Sequence, residues 1–125
     1  MPTTAKRKTV SRTGFTPLRI AKMCRDIAQN KKAEDVVILD LRKLSTLTDF
    51  FVICSGSAEP HLKAIAEEIH IKLKELGIRE QHRDGSAASR WLVLDYVDVL
   101  VHVFHPQVRE RYGLEDLWRD AKRVK

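Results

Sequence analysis

Residues 98–105, Asp-Val-Leu-Val-His-Val-Phe-His, set the strongest constraint on the fold. In an extended chain Val99, Val101 and Val103 share one face, while Asp98, Leu100, His102 and Phe104 share the other. Apolar residues on both faces mark a central strand, covered from two sides. Residues 50–55, introduced by Asp49, and the β-branched run 36–41 read as further strands, joined by a polar loop over 42–48. Helices must then cover the sheet. Leu62, Ile65, Ala66, Ile69, Leu73 and Leu76 form the clearest helical stripe, with Gly77 as its stop. Thr16-Pro17 opens an earlier helix, with Thr16 as N-cap and Pro17 at the first helical position, and residues 30–32 end it. Residues 78–82 read as a short edge strand and 83–89 as a turn-rich loop. Residues 90–95 and 98–105 form a hairpin around Tyr96-Val97, and 108–112 and 114–124 read as helical turns interrupted by Gly113. The expected fold is α/β: one domain over residues 15–125, with a mixed four- or five-stranded sheet and helices on its faces.

The 125 residues carry 23 Lys and Arg against 17 Asp and Glu, a formal charge of +6 that suggests nucleic acid as a partner. Its placement changes that inference. Lys6, Arg7, Lys8 and Arg12 give residues 1–12 a charge of +4, and residues 119–125 contribute +3, so the body between them sums to −1. Two basic ends flank a nearly neutral domain. Residues 1–14 read as a flexible basic tail that aids solubility and touches rRNA nonspecifically. They lack the apolar face of a transit peptide. The longest apolar run, residues 50–54, is too short to span a bilayer. Cys24 and Cys54 show no paired spacing and fit a reducing, cytoplasmic setting.

Candidate chemistry is sparse. Ser55-Gly56-Ser57 lies between a strand end and a helix start, where backbone N–H groups can hold an anion, and it resembles the opening of a nucleotidyltransferase signature. That chemistry needs two carboxylates on one face to hold two Mg²⁺ ions. The carboxylates at that interval, Glu67 and Glu68, are adjacent on a helix and do not share a face. The alternative is capping by Ser57 or Glu59, with Pro60 in the first turn. Asp95 and Asp98 flank the hairpin turn; a carboxylate pair for acid–base or metal work lacks a third ligand nearby in sequence, so they either bond the turn amides or present an exposed acidic knuckle to a basic partner. The five histidines show no metal spacing, and His102 and His105, three apart on a strand, point to opposite faces. Cys54 could lie near His102 across the sheet, but a buried thiol and a hydrogen-bonded histidine are the default. Trp91 opens a strand after a polar loop, and Tyr112, Leu114, Leu117 and Trp118 make a compact aromatic and apolar set that reads as core packing or, if partly exposed, as an interface. No stacking platform interleaved with Arg or Lys is visible, which argues against single-stranded RNA binding as the main task.

Three ordered stretches together resemble the ribosomal silencing factor family, RsfS or Iojap: residues 48–57 (TDFFVICSGS), residues 91–104 (WLVLDYVDVLVHVF), and residues 109–118 (RERYGLEDLW). The similarity spans most of residues 17–118. Members commonly carry Gly before the second hairpin Asp, where this chain has Val97; a β-branched residue resists positive φ, which leaves the turn type open. The resemblance implies a nucleotidyltransferase-like core without catalytic carboxylates, no cofactor and no metal. It also implies a non-enzymatic factor, frequently homodimeric, that docks on large-subunit ribosomal protein fourteen and blocks subunit joining. The expected contact surface comprises Trp91, Asp95, Asp98, His102, Tyr112, Leu114, Glu115 and Trp118.

Overall fold

A computed structural model describes residues 14–125; the basic stretch 1–13 lies outside the described residues. Helix α1 spans Pro17–Asn30, with the Thr16 hydroxyl accepting the Arg19 N–H at 3.1 Å and Pro17 at the first position. Ile20, Ala21, Cys24 and Ala28 recur along one face and are buried. Strands β1 (Glu34–Asp40) and β2 (Phe50–Ser55) pair antiparallel. Helix α2 (Glu59–Glu75) then buries Leu62, Ile65, Ala66, Ile69 and Leu73. Leu76 departs from the expected stripe: it caps the helix and is exposed. Neither Ser57 nor Glu59 caps α2; the N-cap is Ala58, without a side-chain bond, and Glu59 and Pro60 occupy the first turn.

Strands β3 (His82–Ser86), β4 (Trp91–Asp95) and β5 (Val99–Phe104), helices α3 (Pro106–Tyr112) and α4 (Leu114–Leu117), and strand β6 (Lys122–Val124) complete the chain. The sheet has six strands in the order β3-β4-β5-β2-β1-β6, with β5 parallel to β2 and the other pairs antiparallel. The central pair is thus β5 and β2, as two-sided apolarity requires. Two expectations fail at the edges. The edge strand lies at His82–Ser86, not 78–82, and residues 122–124 add a sixth strand where helical turns were expected. Both strands are polar, because an edge strand buries little.

Helices α1 and α2 pack on one face of the sheet, over Ile38, Phe50, Val52, Cys54, Leu92, Leu94, Val99, Val101 and Val103. The second face carries Leu39, Phe51, Ile53 and Phe104, roofed by Val108, Leu114, Trp118 and Ala121 from the C-terminal segment. Cys54 belongs to the first face and His102, in register with Ile53, to the second, so they do not meet. Both thiols are buried, and burial pushes Cys54 up to about 12. His105 ends β5 rather than continuing it, and its Nδ1 accepts the Gln107 N–H at the start of α3.

The β4–β5 turn resolves what Val97 does: it adopts φ +72°, the left-handed region. The Asp95 carboxylate holds the turn by accepting the Val97 N–H at 2.7 Å. An L-residue there costs roughly 1–2 kcal/mol. Val97→Gly should therefore raise unfolding stability by about 1 kcal/mol in urea titration, allowing for the greater unfolded-state freedom of glycine. An unchanged or lowered midpoint would show that the turn carries no strain.

Candidate functional site

Side chains on the second face come from alternate residues of neighbouring strands. Register places Trp91 beside Phe104, Val93 beside His102 and Asp95 beside Leu100, while Phe51, Ile53 and Ser55 continue the rows on β2. Ser86, Asp84 and His82 extend them onto β3. The C-terminal segment roofs the β1–β2 side, and the β3–β4 side stays open. There Asp84, Gly85, Ser89, Trp91, Val93 and Tyr112 line a cleft of about 430 Å³. Gly85 is required at its rim: φ is +76°, and a Cβ would stand 2.0 Å from the Trp91 carbonyl oxygen.

An aromatic chain runs across this face. Tyr112, more than half exposed at 56%, leans on Trp91 with ring centroids 4.6 Å apart. Trp91 stacks on Phe104 at 4.8 Å, and its Nε1–H donates to His102 Nδ1 at 3.2 Å. His102 meets the edge of Phe51 at 4.6 Å, and Phe51 in turn meets Trp118 at 6.0 Å. Leu117, the residue before Trp118, is 72% exposed. Aromatic rings anchored on one side and open on the other supply large contact area at low entropic cost.

Arg109 fixes the roof. Its guanidinium clasps Glu115 in two bonds of 2.8 and 3.1 Å and donates a third, of 2.9 Å, to Ser55 Oγ. Gly113, in the left-handed conformation, separates α3 from α4 and lets the chain turn back for that clasp. The Arg109 guanidinium holds the Glu115 carboxyl below its ordinary range, with Arg123 at 3.5 Å as a weaker partner.

The structure brings Trp91, His102, Tyr112, Leu114 and Trp118 together on the second face, but the expected exposure of the acidic residues is corrected. Asp98 is buried at 3%, and its carbonyl oxygen accepts the N–H groups of both Asp49 and Phe50. It ties β5 to β2 and presents no exposed charge. Asp95 is half-buried and holds its turn, and Glu115 is neutralised by Arg109. Phe51, Phe104, Val93, Asp84 and Arg109 are additions. Alternation could have placed Phe51 and Phe104, whereas Arg109 shows only as part of residues 109–118.

The Ser55-Gly56-Ser57 loop is internally committed. The Ser57 N–H donates to His61 Nδ1 at 2.9 Å, Ser55 Oγ accepts from Arg109, and a Cβ on Gly56 would press Leu62 at 2.8 Å. Glu67 pairs with Arg83 and Glu68 with Lys72 along α2. Among the described residues no group of His, Cys, Asp and Glu is arranged to hold a metal ion, and no helix is long and apolar enough to cross a membrane.

Burial pushes the His102 imidazole down to about 4. An unfolded histidine titrates near 6.5, so below that pH the unfolded chain takes up a proton the folded chain refuses. The stabilising contribution is complete above pH 6.5 and lost as pH falls toward 4, by about 3 kcal/mol. Urea titrations at stepped pH should show this slope, and His102→Phe should remove it. Glu80 and Glu115, both held below the ordinary carboxylate range, act only at lower pH. A flat profile between pH 6.5 and 4.5 would contradict the buried neutral imidazole.

Comparison with known proteins places these features in context. The family model described as ribosomal silencing factor during starvation matches residues 16–125. The ribosomal silencing factor RsfS of Halalkalibacterium halodurans is 44% identical over 95 residues, covering 76% of this chain and 81% of that protein. The mouse protein named mitochondrial assembly of ribosomal large subunit protein 1 is 30% identical over 95 residues, covering 74% of this chain and 42% of that one. A crystal structure of a protein from Chromobacterium violaceum superposes with a TM-score of 0.80 at 32% identity, covering 83% of this chain and 87% of that one.

Proposed function

The chain belongs to the ribosomal silencing factor family, and from that premise we propose that it docks on the large ribosomal subunit through its second sheet face and prevents subunit joining. The observation that carries this reading is the half-roofed aromatic chain of Trp91, Tyr112 and Trp118 beside an open cleft. Trp and Tyr anchors of this kind dominate the centres of protein interfaces. The name of the mouse relative, which refers to large-subunit assembly, supports a large-subunit partner. Ribosomal protein fourteen at the inter-subunit face is the proposed contact. Asp84 at the cleft rim, with Val93 and the two rings, suits a basic protein surface with an apolar centre.

The protein acts in this proposal as a steric block, in the cytoplasm, without turnover. No bond is made or broken, so its potency is set by affinity and by the area of the inter-subunit face it occupies. The basic stretches 1–12 and 119–125 add salt-sensitive attraction to rRNA but no selectivity. Sedimentation with purified large subunits, before and after addition of small subunits, tests the proposal. Comigration with the large subunit and fewer joined ribosomes is the expected result. Protein remaining at the top of the gradient, or bound without hindering joining, would overturn it.

A nucleotidyltransferase-like activity of the Ser55-Gly56-Ser57 loop is the competing reading. It requires Mg²⁺-dependent nucleotide binding, which calorimetric titration would detect. The internal bonds of Ser55 and Ser57 disfavour it.

A further inference from the structure

His102 sits at the centre of the second face, in register between Val93 and Ile53. Three aromatic rings surround it: Phe51 edge-on, Phe104 at 5.9 Å and Trp91 at 6.0 Å. Its Nδ1 receives the Trp91 Nε1–H. An indole N–H can only donate, so Nδ1 is the unprotonated acceptor and the ring proton resides on Nε2. Nε2 is buried without a hydrogen-bond partner. Packing alone does not account for that choice of residue. An apolar side chain of similar volume would fill the space without stranding a buried donor, a cost the histidine bears.

What the histidine supplies is an acceptor beneath Trp91. Without it the indole N–H loses its partner, and the ring gains freedom to turn away from Phe104 and Tyr112. A ring that must be ordered on docking costs affinity that a pre-ordered ring does not. We infer that His102 is a positioning residue for docking: its Nδ1 anchors the Trp91 indole so that the ring supports Tyr112 and walls the open cleft. The inference rests on the docking function proposed for this face.

Two substitutions separate positioning from stability. His102→Phe fills the volume but removes the acceptor. His102→Asn places its Oδ1 where Nδ1 stood and sacrifices ring volume. The Trp91 indole N–H is followed by ¹⁵N NMR in the free protein, with Trp91→Phe assigning the resonance. Thermal unfolding and affinity for purified large subunits complete the measurements.

His102→Phe is expected to fold with a near-unchanged midpoint, to exchange the Trp91 indole proton about tenfold faster, and to bind about tenfold more weakly. His102→Asn is expected to unfold at lower temperature, yet to keep the indole resonance and bind more tightly than the Phe variant. Affinities that simply follow the unfolding midpoints, or a Phe variant that binds as the parent does, would overturn the inference. Trp91→Ala binding normally would overturn the docking reading itself. Weak binding by Trp91→Ala alongside normal binding by His102→Phe would overturn the positioning role alone.

Discussion

Tyr112→Ala should weaken binding to the large ribosomal subunit by about thirtyfold, the cost of removing a central aromatic anchor worth roughly 2 kcal/mol. The fold should hardly notice. Tyr112 is the last residue of α3, more than half exposed, and its ring packs on Trp91. Exposed positions of that kind usually change stability by less than about 1 kcal/mol. Tyr112→Phe retains the ring and should retain most of the affinity. Equilibrium binding of a fluorescently labelled protein to purified subunits, with circular dichroism confirming the fold, checks both variants. Unchanged affinity of Tyr112→Ala would exclude the second face as the docking surface.

Arg109→Met should cost about 2 kcal/mol of stability and loosen the roof of that face. The side chain is only 11% exposed and makes three bonds that join α3 to α4 and both to β2. Breaking a fully buried ion pair costs roughly 3–5 kcal/mol, and the 27% exposure of Glu115 lowers the figure. Lysine cannot reproduce the two-pronged clasp, so Arg109→Lys should recover little of the loss. Pairing Arg109→Met with Glu115→Met should recover part of it, because the stranded carboxylate is then gone. Urea unfolding of the two single variants and the double variant measures the coupling. Strict additivity would show that Arg109 and Glu115 do not act as a unit.

The distribution of apolar residues made the centre of the fold legible. Strands 50–55 and 99–104, helix α2 and the Thr16-Pro17 start of α1 follow from periodicity and capping alone. The edges were not legible, because His82–Ser86 and Lys122–Val124 gain their strand pairing from neighbours rather than from their own composition. Within the candidate site, the pairing of Trp91 with Tyr112 needed the register of β4 and the turn at Gly113, and the expected exposure of Asp98 was wrong. A carboxylate beside a turn reads the same from sequence whether it faces water or is buried, as Asp98 is. Only the register decides. Val97 is the converse case: its chemistry opposes positive φ, and the hairpin imposes it.

Charge placement bears on the same question. The structure puts Arg119, Lys122, Arg123 and Lys125 at the exposed β6 end of the sheet, whereas the open cleft lies at the β3–β4 end and is lined by Asp84 and no Lys or Arg. The C-terminal bases therefore meet the second face only at its Trp118 end, where Arg119 and Arg123 line a hollow with Trp118, and not at the open cleft. Added salt should weaken ribosome association without abolishing it, because the cleft and its rings contribute a part that does not depend on phosphate contacts.

Site-specific photocrosslinking to purified large subunits tests the central claim most directly. A benzophenone amino acid is placed either at the exposed Leu117, the residue before Trp118, or at the exposed Ile71, on helix α2 against the opposite face. The proposed docking predicts a crosslink from position 117 to ribosomal protein fourteen and none from position 71. A crosslink from position 71 alone, or from position 117 only to other components, would contradict it.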